Sequence, residues 1–173
     1  MKKNRTLLFL SLLLIFFSSG CSLNHAGEGQ EKWHFIVVGD SRGNDVGVNT
    51  EILSEMASQI VLNNPDFVLF PGDLVTGSGN DKKHRAQLTK WRQTMQPVYD
   101  AGIEVYAVRG NHDRGSKKNG LSIWNDIFSD EYALPDNGPA GEKNLTYSVS
   151  HKNAFIAAID NYAVKGQKIN QAW

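Results

Sequence analysis

The chain has 173 residues, carries 18 basic and 18 acidic side chains, and is 40% hydrophobic and 10% aromatic. That length suits a single domain able to bury a core. The charge balance, with no basic block and no interleaving of basic and aromatic residues, argues against a nucleic-acid-binding surface.

Met1-Lys2-Lys3-Asn4-Arg5 is a basic head, and Thr6 to Phe17 is an apolar run too short to span a bilayer with ease. Ser18-Ser19-Gly20 then precede Cys21, the one cysteine of the chain. This arrangement resembles a bacterial lipoprotein signal, although Ser18 stands where such signals usually carry leucine. The resemblance implies that residues 1–20 are removed, that Cys21 is lipidated, and that the protein is exported and tethered to a membrane of the cell envelope. An ordinary cleaved signal peptide and an uncleaved anchor are the alternatives. A lone cysteine forms no internal disulfide, which suits a lipid-modified role. Loss of Lys2, Lys3 and Arg5 leaves 15 basic against 18 acidic residues, a net charge of −3. Residues 21–32, polar and with Gly27 and Gly29, read as a tether. Residues 33–173 are then the folded domain.

Trp33-His34-Phe35-Ile36-Val37-Val38 is rich in β-branched and aromatic residues, as a buried strand should be, and runs into Gly39-Asp40-Ser41-Arg42-Gly43. Asn49-Thr50 caps a predicted helix with Glu51 in its first turn and an apolar stripe of Ile52, Leu53, Met56 and Ile60. Asn63-Asn64-Pro65 ends it, because the residue before proline resists helical geometry. A second strand, Phe67 to Phe70, runs into Gly72-Asp73-Leu74-Val75. The glycine-rich segment Thr76 to Lys83 reads as a loop arching over the strand edge. A second helix carries Leu88, Trp91, Met95 and Val98 and stops near Gly102, with Pro97 marking a kink or an early end. The third strand, Val105 to Val108, runs into Gly110-Asn111-His112-Asp113.

Beyond Asp113 the pattern is less regular. Leu121 to Phe128 is a short predicted helix. Leu145 to Val149 and Ala154 to Ile159 read as strands joined by a hairpin at His151-Lys152-Asn153, an antiparallel addition to the sheet. Lys165 to Trp173 is polar, helix-like and without a capping signal, as if the domain were truncated.

Three strands separated by helices predict a parallel sheet, with all carboxyl ends along one edge. Ligands of open α/β sheets bind at that edge. Asp40, Asp73, Asn111 and His112 would converge there, and such a set of oxygen and nitrogen donors can hold metal ions. Gly39, Gly72 and Gly110 read as tight turns. No Gly-x-Gly-x-x-Gly follows the first strand and no Gly-Lys-Ser/Thr occurs, which speaks against a nucleotide-binding domain.

The three tips, 33 and then 38 residues apart at Asp40, Asp73 and Asn111, resemble the calcineurin-like metallophosphoesterase family. That family's pattern is Asp-x-His, then Gly-Asp-x-x, then Gly-Asn-His-Asp/Glu. The likeness covers about Phe35 to Asp160. It implies a layered α/β/β/α sandwich, of which this chain supplies about the first half. It also implies hydrolysis of phosphate mono- or diesters by a metal-activated water, on a phosphorylated small molecule or a phosphoprotein. Carried across, Asp40 would ligate a first divalent ion, Asp73 would bridge two, and Asn111 would ligate the second, the metals being manganese, iron or zinc. His112 would stabilise or protonate the leaving oxygen, and Asp113 would orient His112 or cap the following loop.

Two features depart from that pattern. Arg42 stands where a metal-ligating histidine is usual; a guanidinium has no lone pair to donate, so it would grip substrate phosphate instead, or pair at the surface with Asp45 or another nearby carboxylate. The later Gly-His-x-His is absent. His151 reads as a solvated turn residue, His84 as part of a polar loop or helix start, and Asp160 as a turn carboxylate. A catalytically weak module that binds a phosphorylated ligand is therefore the alternative to an enzyme.

Overall fold

The computed structural model describes residues 32–43, 46–163 and 169–170. The signal segment, Cys21 and all of the tether except Lys32 lie outside the described residues. Among the described residues no helix is long and apolar enough to cross a membrane. Among the described residues all regular elements fall within the unit Trp33–Trp173.

The first strand, β1 (Phe35–Val37), leads through a loop into α1 (Thr50–Asn63), then β2 (Phe67–Phe70), α2 (Asp81–Asp100) and β3 (Glu104–Ala107). The strands form a parallel sheet in the order β1-β2-β3, with Phe35 opposite Phe67 and Phe67 opposite Glu104. Each helix is the crossover that parallel pairing requires. The caps are those expected. Asn49 accepts from the amide of Ile52 at 3.3 Å, and Asn64 closes α1 in the left-handed region just before Pro65. Of the predicted stripe on α1, Leu53 and Ile60 are buried with Ala57, whereas Ile52 faces solvent.

Pro97 does not end α2, which continues to Asp100. Met95 and Val98 on either side are fully buried, and that packing outweighs one missing backbone donor in the last turn. The core lies between these helices and the sheet. Phe70 meets Trp91 edge-on at 5.1 Å, and Trp91 leads on to Phe128 beyond α3 (Gly120–Ile127).

The hairpin forms as β4 (Tyr147–His151) and β5 (Ala154–Ala158), antiparallel with Tyr147 opposite Ala158. It is not an addition to the parallel sheet, but a separate two-stranded one. The buried Tyr147 makes the link through its side chain, its hydroxyl donating to the Ala107 carbonyl at 2.7 Å. Nor is β1 a fully buried strand, since Phe35 and Val37 are 44% and 56% exposed. Phe35 instead joins an aromatic row at the amino-terminal end of the sheet, stacked on Phe67 at 5.3 Å and on Trp33 at 5.8 Å.

Candidate functional site

The carboxyl ends of β1, β2 and β3 are drawn together by backbone contacts. The Asp40 amide donates to the Gly72 carbonyl at 3.2 Å, and the Ser41 hydroxyl donates to the Leu74 carbonyl at 2.8 Å. Gly72, at φ 104°, lets the second and third tips touch: a Cβ there would lie 2.6 Å from the Gly110 nitrogen. A Cβ on Gly110 would in turn strike the carboxylate of Asp73. Both glycines are thus required by close approach as well as by turn geometry.

Asp40 and Asp73 hold φ of 53° and 55°, left-handed conformations that cost a non-glycine residue of the order of 1–3 kcal/mol. The strain aims both carboxylates at one place, and a guanidinium occupies it. Arg42 donates from Nε to one oxygen of Asp40 and from Nη2 to the other at 3.1 Å, while Nε lies 3.8 Å from Asp73 Oδ2. This ion pair holds the Asp40 carboxyl below the usual carboxylate range. Of the two fates predicted for Arg42, the structure displays pairing with a nearby carboxylate, that of Asp40, Asp45 lying outside the described residues.

His112 completes the cluster. Its backbone amide donates to Asp73 Oδ1 at 3.2 Å, and its Nε2 lies 2.6 Å from Arg42 Nη1. Its Nδ1 lies 2.7 Å from the Thr76 carbonyl, which can only accept, so Nδ1 carries the hydrogen and Nε2 the lone pair that faces Arg42. Asn111 sits between Gly110 and His112, on the stretch that wraps the Asp73 carboxylate, with its side chain exposed.

Asp113 does not orient His112; the Thr76 carbonyl does. The Asp113 carboxylate is turned inward and fully buried, accepting from the amides of Val75 at 3.2 Å and Gly110 at 2.8 Å. Burial pushes its pKa up to about 6 despite these donors. A strand tip whose amides would otherwise be orphaned thereby finds its acceptor.

Behind Asp113 lies His84, in the first turn of α2, the helix start that its position predicts. It is fully buried on α2, its Nε2 donating to the Asp113 carbonyl at 3.1 Å, and burial lowers its pKa. The signal was present: His84 precedes Leu88 by four residues and so extends the stripe through Trp91, Met95 and Val98. Asp160 is a turn carboxylate, as read, accepting from the Tyr162 amide at 2.7 Å, and it is also the buried partner of Arg109 at 2.6 Å. His151 ends β4, partly exposed and 3.0 Å from Asp66, remote from the strand tips at which Asp40 and Asp73 meet.

Two carboxylates gathered on one positive group, Asp40 and Asp73 on Arg42, suit a cation by charge and by oxygen chemistry. Among the described residues no three His, Cys, Asp or Glu side chains come together to hold an ion.

A parallel sheet with crossover helices, and acidic, amide and imidazole groups gathered at its carboxyl edge, defines an α/β protein with a polar strand-tip centre. Over residues 34–167 the chain matches the family model for calcineurin-like phosphoesterases, and it belongs to that family. The family is one of hydrolases that bind divalent metals and cleave phosphoesters. No curated protein matches the chain.

Proposed function

We propose that this protein is a metal-dependent phosphoesterase acting at the tips of β1, β2 and β3. The observation that carries the reading is the convergence of Asp40, Asp73 and His112 on a single cationic group. Asp40, Asp73 and the amide oxygen of Asn111 would hold a divalent cation, with manganese, iron and zinc as the candidates. Such a cation, when bound, polarises phosphoryl oxygens and makes a neighbouring water nucleophilic near neutral pH. A second ion would need donors beyond those gathered here.

The chain's own groups do the rest. Arg42 offers a planar fork of N–H donors that matches two phosphate oxygens. His112, fixed by Thr76 through Nδ1, presents Nε2 to the same space, where a proton carried on Nε2 can pass to the leaving oxygen. The substrate is a phosphate mono- or diester on a small molecule or a protein. The protein would act outside the cytoplasm, tethered by a lipid on Cys21. Cys21→Ser should then release it from membranes, and persistent attachment would point to an uncleaved anchor.

One observation favours a second reading, a binding module of low activity: Arg42, which cannot ligate a metal, pairs with both oxygens of Asp40. Hydrolysis of an aryl phosphate, measured with manganese and again with a chelator, decides between them. The enzyme reading expects turnover that the chelator removes. It also expects Asp73→Asn to lower that turnover by more than about 100-fold, since even residues that only support metal ligands cost 10- to 100-fold. Turnover unchanged by chelator, or by Asp73→Asn, would refute it.

A further inference from the structure

The loop that carries His112 also borders a cavity of about 190 Å³, lined by Arg109 where the chain enters the loop and by Arg114 and Lys117 where it leaves. Asp160 builds this cavity. Its Oδ2 accepts from Arg109 Nε at 2.6 Å, and its Oδ1 accepts from the Tyr162 amide at 2.7 Å. The Tyr162 ring then lies 4.7 Å from the Arg114 guanidinium, holding its plane and leaving its edge N–H groups unspent.

Arg109 is only 8% exposed, yet both of its Nη groups are without a hydrogen-bond partner among the described residues. A buried guanidinium with its fork unspent is costly unless something in the cavity accepts from it. Charge says what that should be. Arg109 and Asp160 cancel, so Arg114 and Lys117 leave the walls at +2. Counting the buried Glu142, next to the wall residue Gly141, against them still leaves +1.

We propose that this cavity is an anion site, taking a carboxylate or phosphate group on the free fork of Arg109 and the edge of Arg114, with Lys117 adding charge. It needs no metal ion, and none of Asp40, Arg42, Asp73 and His112 lines it. Pockets that enclose a drug-sized ligand measure roughly 300–1,000 Å³, so this smaller one suits an acidic group and not a large molecule. That group is either a second acid on the phosphoester substrate or a separate small anion, and the same chemistry serves both.

Chelator-treated full-length chain, at low ionic strength, is titrated calorimetrically with inorganic phosphate. Binding should be seen, and sodium chloride should weaken it by screening. Arg114→Gln should lower the affinity about tenfold or more, as loss of a charged hydrogen-bond donor entails. Lys117→Gln should lower it about two- to fivefold, the range of an exposed ion pair. Both residues are exposed, so neither variant endangers the fold. Arg114→Lys, which keeps the charge and loses the fork, should fall between wild type and Arg114→Gln. Arg42→Gln should bind phosphate as wild type does, which separates the cavity from the strand tips.

The anion site is overturned if metal-free wild type binds no phosphate, if Arg114→Gln and Lys117→Gln bind it undiminished, or if Arg42→Gln abolishes the binding. The source of the anion is read with manganese present, from the KM values of phenyl phosphate and 4-carboxyphenyl phosphate. If substrate supplies the acid, Arg114→Gln raises the ratio of the carboxylated ester's KM to the plain one's; if a separate anion does, the ratio stays. Absence of all turnover would refute the function proposed above and leave the anion site standing on its calorimetry.

Discussion

The loop that follows β3 has two sides built from the same residue types, and they behave as opposites. On the outer side, Arg42 bonds the side chains of Asp40 and His112 and lies 3.8 Å from Asp73, which also accepts from the His112 amide, and Asp40 is 63% and Asp73 22% exposed. On the inner side, Asp113 and His84 are fully buried, and each bonds to backbone: Asp113 to the amides of Val75 and Gly110, His84 to the carbonyl of Asp113. Side-chain partners in water can be exchanged for a ligand at modest cost, whereas buried backbone partners cannot. An aspartate or histidine in this fold is therefore read by what it bonds to. The outer set is free to do chemistry because the inner set holds its platform still.

The largest separation of the two sides should come from His112→Ala. His112 lies on the outer side, its ring held among the described residues by the Thr76 carbonyl and Arg42. Its loss should slow metal-dependent hydrolysis by about 100-fold or more, the usual range for a proton-transfer group. Bound metal and urea midpoint should stay near wild type. A variant that simply loses its metal would move His112 into the ligand set and blur the division.

Asp113→Ala should do the reverse. It leaves the amides of Val75 and Gly110 without acceptors inside the protein, at about 2–4 kcal/mol for the pair. Urea unfolding should show that loss, and activity should fall only as far as the tip shifts. A variant with full stability and little turnover would instead place Asp113 among the groups that handle substrate.

The outer side was legible in the sequence and the inner side was not, for a physical reason. Asp40, Asp73 and His112 each end a β-branched run, and alternating strands and helices leave those ends no other place than one edge. Asp113 is adjacent to His112 in sequence, but a tight helical turn at residues 112–114 points neighbouring side chains in different directions, so adjacency suggested a pairing that the turn forbids. His84 was placed at the helix start, but its burial went unread among Asp81, Lys82 and Lys83, although its spacing from Leu88 put it on the apolar face. The hairpin was found, but its partner sheet was not. Alternation specifies that two strands pair; it does not say whether Tyr147 will meet β3 through a ladder or through its hydroxyl.

The finest test concerns His84, whose effect should be small and should have a sign. Burial lowers its pKa from 6.5, so the folded protein prefers the neutral ring more than the unfolded chain does. The stability that this contributes is present above pH 6.5 and is lost as the pH falls through that value towards the folded pKa. The loss is at most about 1.4 kcal/mol per pH unit for one proton. Asp113 works against it, since its raised pKa gives stability that is present in acid and fades as the pH rises through about 6. The net pH profile of the wild type therefore hides both. His84→Gln keeps a donor for the Asp113 carbonyl and removes the titration, so the difference between the two proteins isolates the histidine. At pH 7.5 the two melting temperatures should be close, and at pH 5 the variant should have lost less than the wild type. Parallel profiles would mean that His84 opens to water on acidification, and that the inner side of the loop is less fixed than its hydrogen bonds imply.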